Sequence, residues 1–436
     1  MGFFAQRLSK RSSNCLTPCP VRRTNSSALS TLFFACAALC AGACAQAGKP
    51  DFQIAFSGDL KPSSQRAAVR LRVTQADDAL RVLDLAADEA RYSRFEATAG
   101  ALEREGERLV WRVPATGGEL RFSAKINAER GSGFDARITP DWALLRLEDI
   151  FPAFRSVARK GVTAATTVTL VGPQDWSFET RYGRVGAAPI AYRAPRRRFD
   201  RPTGWLLAGK LGVRRDRITD RSVVVAAPAG TRYPRVPTLA FLRWTLPEFT
   251  RAFPSLPDHL LIVSGDDSMW RGALSGPQSV FLHPNRPLIS ENATSTLLHE
   301  LVHVATRWRA ASGDDWIVEG VAEYFALKLL HASGGISDKR FADAIDSLRG
   351  WARRDDGALR HPSKGADTAF AAVLFFELDE ELSKRDEADL SAVIADLLEF
   401  DEAGRVIPSQ IDRQALRQCV RRVLGEPSKV LQRYLD

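Results

Sequence analysis

Leu297-Leu298-His299-Glu300-Leu301-Val302-His303-Val304-Ala305, followed by Trp316-Ile317-Val318-Glu319-Gly320-Val321-Ala322-Glu323-Tyr324, decides how this chain is read. In the first part Leu297, Leu298, Leu301, Val302, Val304, Ala305 and, just beyond, Trp308 make a helix that is apolar nearly all round. Each helical residue turns by about 100°, so His299 and His303 share one face, one turn apart. Two imidazoles and a carboxylate in an apolar helix are costly without partners. At this spacing both imidazoles can reach one zinc ion. Glu300, beside His299, can take a proton from water there without being a ligand.

A catalytic zinc takes three protein ligands and keeps one position open. The second part supplies candidates for the third ligand. It reads as a helix capped by Asp314 or Asp315, with Trp316, Ile317, Val321, Ala322, Phe325, Ala326 and Leu329 as its apolar surface. A turn at 310–315 makes the two helices antiparallel neighbours. Either Glu319 or Glu323 can then face the histidines, and helix spacing does not choose between them.

Together H-E-L-V-H and W-I-V-E-G-V-A-E-Y resemble the gluzincin, or peptidase-MA-like, zinc metallopeptidases, over about residues 290–330. The resemblance implies one zinc on His299, His303 and Glu319, with Glu300 as general base and a peptide or protein substrate. It makes Glu323 the carboxylate that accepts a hydrogen bond from the other ring nitrogen of His299. It also implies that His361, in a loop before Pro362, can stabilise the oxyanion as a lower-lobe residue does in relatives. Tyr324 lies about 140° round the helix from Glu319, which makes it a packed aromatic.

Two features depart from the family pattern. The Gly-x-Met-Glu-Asn strand that holds a free amino terminus in aminopeptidases of this group is absent, and residues 272–279 stand in its place. No carboxylate is therefore evident to pair with a free α-amine. The catalytic Tyr of the C-terminal lobe is also missing, since only Tyr434 follows Tyr324. A non-catalytic cell-envelope protein, binding peptides or assisting assembly on the same zinc fold, is thus the rival reading.

Outward from this centre, residues 1–47 read as a secretory signal. Arg22 and Arg23 precede an apolar run at 28–45, closed by Ala43-Cys44-Ala45 or Ala45-Gln46-Ala47 as cleavage sites. Lipidation of Cys44 is a further reading, although Ala41-Gly42-Ala43 lacks the usual Leu. The run is too short and too rich in Ala and Cys for a membrane span. Five of the six cysteines lie in this segment, which leaves Cys419 alone and excludes an internal disulfide or a Cys metal site in the mature chain. Export without disulfides fits a bacterial periplasm or cell envelope. The leader holds five basic residues and no acid, so its removal lowers the net charge from +9 to +4. The arginine run at 196–198, set among prolines and without interleaved aromatics, reads as a solvated linker, and nucleic acid is not expected as a partner.

The expected fold class is α+β. Residues 48–195 read as a β-sandwich-like domain, from the alternation at 51–56, 68–73, 108–113 and 167–171, with helical pieces at 79–85 and near 144–154. Residues 200–436 read as a thermolysin-like catalytic domain. Its upper lobe, 200–330, has a mixed sheet and the zinc-binding helix pair, and 331–436 form a helical lobe. Residues 278–283, closed by Pro284, read as the edge strand along which substrate would lie. The helix at 238–253 is expected to break or restart at Pro247.

Overall fold

The computed structural model describes residues 49–194, 197–384 and 389–436. The expected leader with Cys44, and part of the arginine run at 196–198, lie outside them. Strands Phe52–Lys61 and Arg66–Gln75 alternate between core and solvent, as period-two patterning dictates. They lie side by side in a six-stranded sheet with order Ile190–Tyr192, Ala164–Val171, Phe52–Lys61, Arg66–Gln75, Gly117–Lys125 and Tyr92–Ala97. Phe52 pairs with Gln75 across an antiparallel ladder and with Ala164 across a parallel one.

A four-stranded sheet takes Phe154–Ala158, Leu80–Ala86, Arg108–Arg112 and Leu102–Glu105 in that order. The helix expected at 79–85 is thus a strand. It is paired on both sides, and this long-range pairing outweighs a local pattern that suits either state. A third sheet runs Gly183–Val185, Ser177–Thr180, Trp205–Gly209, Trp142–Arg146, Gly133–Ile138 and Ala128–Arg130. Most of the helix expected near 144–154 is likewise strand, followed by one helical turn, α1 (Leu147–Ile150).

The cause is burial on both faces. Ala143 and Leu145, with Leu206 and Ala208, join the β-region core. Trp142 and Leu144, with Trp205 and Leu207, pack on Val224, Leu261 and Phe281 of the next sheet. A strand buried on both faces loses the alternation that marks strands in sequence. Trp205–Gly209, read from sequence as part of the second domain, therefore pairs with Trp142–Arg146 and Ser177–Thr180 instead. Pro50–Asp436 form one compact unit with no break near residue 200.

The next sheet is mixed, with order Leu211–Ile218, Arg221–Pro228, His259–Val263, Ser279–Leu282 and Ala273–Gly276. Its three inner strands run parallel, and its outer pairs are antiparallel. Helix α2 (Arg235–Ala252) connects the second strand to the third and runs through Pro247 without a break. Leu242, Leu246 and Phe249 are fully buried around that proline, and their burial offsets its cost of about 3 kcal/mol.

Helices α3 (Thr296–Thr306) and α4 (Asp315–Ala332) follow the sheet, then α5 (Asp338–Arg354), α6 (Ala366–Leu382), α7 (Leu390–Leu397), α8 (Arg413–Leu424) and α9 (Lys429–Leu435). Strand Trp308–Ala310, between α3 and α4, pairs with Ser409–Ile411 and ties these two helices to the helical lobe. Among the described residues no helix is long and apolar enough to cross a membrane.

Candidate metal centre

Ser295 starts α3 by accepting the Leu298 N–H on its hydroxyl at 3.4 Å. Arg307 ends the helix in the left-handed region, with φ of 54°. Leu297, Leu298 and Leu301 are fully buried, each contributing about 1.5–3 kcal/mol, and they anchor the helix that carries the two histidines. Gly320, next to Glu319, lets α4 approach α6. A Cβ there would stand 2.6 Å from Cβ of Ala371, so the glycine sets the depth at which Glu319 is held.

These helices bring His299, His303, Glu319 and Glu323 together. The Nε2 atoms of His299 and His303 face each other at 3.1 Å. Glu319 reaches them with Oε2 at 3.3 Å from His299 Nε2 and Oε1 at 3.7 Å from His303 Nε2. His299 Nδ1 is 3.1 Å from Glu323 Oε2. One donor atom from each of His299, His303 and Glu319 can be chosen so that all lie within 4.8 Å of one another. Tetrahedral bonds of about 2.1 Å place neighbouring donors about 3.4 Å apart, within the range of these separations. Glu323, by accepting the Nδ1 proton, leaves the Nε2 lone pair of His299 directed at its neighbours. The donor set therefore fits zinc.

The charges at the site set what zinc would have to displace. Burial works against charge on His299, but its hydrogen bonds to Glu319 and Glu323 prevail and raise its pKa to about 10 in the metal-free chain. Burial, and the charge on His299 beside it, lower the pKa of His303. Burial would raise Glu319, yet the His299 hydrogen bond and both histidine charges hold it below the usual carboxylate range.

Glu300 is buried, and its Oε2 accepts the Ser275 N–H at 2.7 Å. Ser275 lies on Ala273–Gly276, which is the true edge strand. The expected edge at 278–283 is a correction: Ser279–Leu282 is fully buried between two neighbours. A two-residue connection, Pro277–Gln278, folds the preceding residues outside it, with Gln278 at a φ of 54°. His283, at the end of that inner strand, is 1 % exposed.

The centre opens on a cavity of about 1090 Å³. Leu274, Ser275 and Gly276 of the edge strand, His299, Glu300, His303 and Glu319 form part of its wall. Glu148, Arg181, Tyr182, Tyr192 and Arg201 of the β-region form another part.

His361 is not brought to this cavity. Its side chain is 58 % exposed and Nδ1 sits 3.0 Å from Asp315 Oδ1 at the start of α4. The oxyanion role expected for it has no support in this geometry, because the ring is exposed and does not line the cavity. Tyr324 is buried and donates its hydroxyl to Asp379. Glu148 was missed in the sequence. It lies on α1, just after strand Trp142–Arg146, and accepts the Gly204 N–H at 2.8 Å, giving the cavity a carboxylate where none was evident. No local signal marks it, since the pairing that places it is long-range.

No protein-family model matches the sequence, and no curated protein matches it. Solved structures do match. An aminopeptidase N family protein from Idiomarina loihiensis superposes with a TM-score of 0.60 at 14% identity, over 79% of this chain and 69% of that one. Aminopeptidase A of Legionella pneumophila, determined in complex with aspartic acid, gives 0.50 at 14% identity, over 88% of this chain. This chain spans about half the length of that second structure, 49%. The fold is thus the mixed α+β fold of aminopeptidase N family proteins.

Proposed function

We propose that the chain is a zinc-dependent peptide hydrolase in which His299, His303 and Glu319 hold the metal and Glu300 is the general base. The observation that carries this is the convergence of three donor side chains beside Glu300 in one cavity. The fold shared with aminopeptidases supports it.

Zinc, when bound, supplies a Lewis acid that acidifies water and polarises a carbonyl. Glu300 accepts the proton of the attacking water and hands it to the leaving amine. Its Oε2 is anchored on the Ser275 N–H, so Oε1 makes the exchange. Glu323 fixes the His299 tautomer. The edge strand Ala273–Gly276 offers its main chain to an extended peptide. We further propose that the protein works outside the cytoplasm, on the strength of the signal-like residues 1–47 alone.

One observation favours the rival, a non-catalytic peptide-binding protein. Among the described residues the tyrosines lining the cavity, Tyr182 and Tyr192, come from the β-region, while Tyr434 of the helical lobe bonds Glu377.

Metal analysis of the purified protein should find about one zinc per chain. A chelator should remove it together with hydrolysis of a broad peptide library, and added zinc should restore both. Full zinc retention by both His299→Ala and His303→Ala would sink the metal assignment. Zinc without hydrolysis would select the binding protein.

A further inference from the structure

The wall that the β-region gives to the cavity is rich in arginine. Arg181 sits in the turn between Ser177–Thr180 and Gly183–Val185, Arg197 belongs to the run read in sequence as a solvated linker, and Arg193 and Arg201 flank that run. What holds these side chains matters more than their number.

Arg181 donates from Nη1 to the Thr203 hydroxyl at 3.1 Å, and its guanidinium lies over the Tyr182 ring at 4.8 Å from the centroid. Its Nε is out of reach of solvent and has no hydrogen-bond partner among the described residues. Arg201 donates from Nη1 to the carbonyls of Phe151, at 2.9 Å, and Glu148, at 3.3 Å. All these acceptors are neutral. They fix the guanidinium planes without supplying a counter-charge. Arg197, by contrast, meets Asp200 at 3.2 Å. Among the described residues neither Arg181 nor Arg201 forms an ion pair with a carboxylate.

Glu148 shares this wall, accepts the Gly204 N–H and lies within the electrostatic reach of Arg201. Arg181, Arg193, Arg197 and Arg201 outnumber Glu148 and Asp200 there, so the wall is positive in sum. A half-buried cation without a counter-charge is costly, and a guanidinium held in place loses little freedom on meeting a carboxylate.

We propose that Arg181 and Arg201 form a carboxylate-recognition site of the cavity, so that the peptides it takes carry a carboxylate there. Two sources share this chemistry, an acidic side chain and a free C-terminus. The proposal rests on the peptide-substrate reading and names the substrate class.

The test uses zinc-loaded full-length protein and short fluorogenic peptides ending in an amide, with one Asp or its isostere Asn at each position in turn. A second pair, without acidic residues, ends in a free carboxylate or an amide. For one Asp position, or for the free C-terminus, kcat/KM should exceed that of the neutral partner by about 10–100-fold, the worth of a charge-assisted hydrogen bond. Which pair responds identifies the source. The ratio should fall toward one in Arg181→Gln, recover in part in Arg181→Lys, and shrink with added salt. Arg201→Gln serves in the same way should Arg181→Gln not fold. Ratios of one throughout in wild type, or an unchanged ratio in every folded Arg→Gln variant, would overturn the proposal.

Binding of the same pairs to Glu300→Gln, followed by fluorescence anisotropy, separates this outcome from the fate of the hydrolase reading. Preference in binding without hydrolysis by wild type would sustain the carboxylate site and sink the hydrolase. Hydrolysis without preference would do the reverse.

Discussion

The two walls of the cavity solve opposite problems. On α3 and α4, lone-pair donors converge: His299, His303 and Glu319 offer atoms within 4.8 Å of one another, and Glu323 braces His299 from behind. On the β-region wall, N–H donors converge: Arg181 and Arg201 are fixed by a hydroxyl and main-chain carbonyls. The first arrangement suits a cation and the second an anion. On the proposed function, a peptide that reached from one to the other would be aligned by both, with its scissile carbonyl at one end and its carboxylate at the other. Positioning of that kind can supply a large share of a rate enhancement before any bond is broken.

The comparison breaks most sharply at Glu319. Glu319→Ala should lose the zinc outright, because a direct ligand is gone, whereas Arg181→Gln should keep about one zinc per chain. Glu323→Ala should cost less, about 10–100-fold in zinc affinity or activity, as removal of a brace does. Metal titration of the three variants checks the order. Should Glu323→Ala prove the more damaging of the two glutamate variants, their roles are reversed.

How much of each wall could be read in advance follows from how it is built. His299, His303, Glu319 and Glu323 lie on two consecutive helices joined by a short connection, so spacing alone brings them near one another. The helices of the C-terminal lobe were legible for the same reason: their apolar periodicity and caps are local. The other wall depends on strands paired across long separations. Trp142–Arg146 and Trp205–Gly209 serve two cores at once and lose their alternation, so neither the sheet nor the Glu148 that follows it could be seen. The linker reading holds for Arg197 and Arg198, which are exposed and outside regular structure, but composition does not reveal that one face of such a loop meets a cavity. His361 differs again: a family expectation put it at the site, and here the ring is exposed beside Asp315 and does not line the cavity.

A smaller effect sharpens the description of the metal wall. Against burial, hydrogen bonds to Glu319 and Glu323 raise the pKa of His299 to about 10, and a ligand must give its proton up to bind a metal. Zinc binding near pH 7 should therefore release about one proton, and affinity should rise about tenfold per pH unit until pH reaches the His299 pKa. The sign follows from the raised pKa: lower pH favours the protonated, metal-free form. Calorimetry in buffers of different ionisation enthalpy measures the proton count. No release would mean that the imidazole is already neutral and that Glu319 and Glu323 do not charge it.

The central claim is that this cavity hydrolyses peptides with Glu300 as the base. The direct measurement is kcat/KM of wild type and Glu300→Gln on the best library peptide, at equal zinc content and with melting temperatures recorded. The account predicts that Glu300→Gln keeps its zinc and its fold and loses about 10²–10⁴-fold in rate. Equal rates in the two proteins would contradict it.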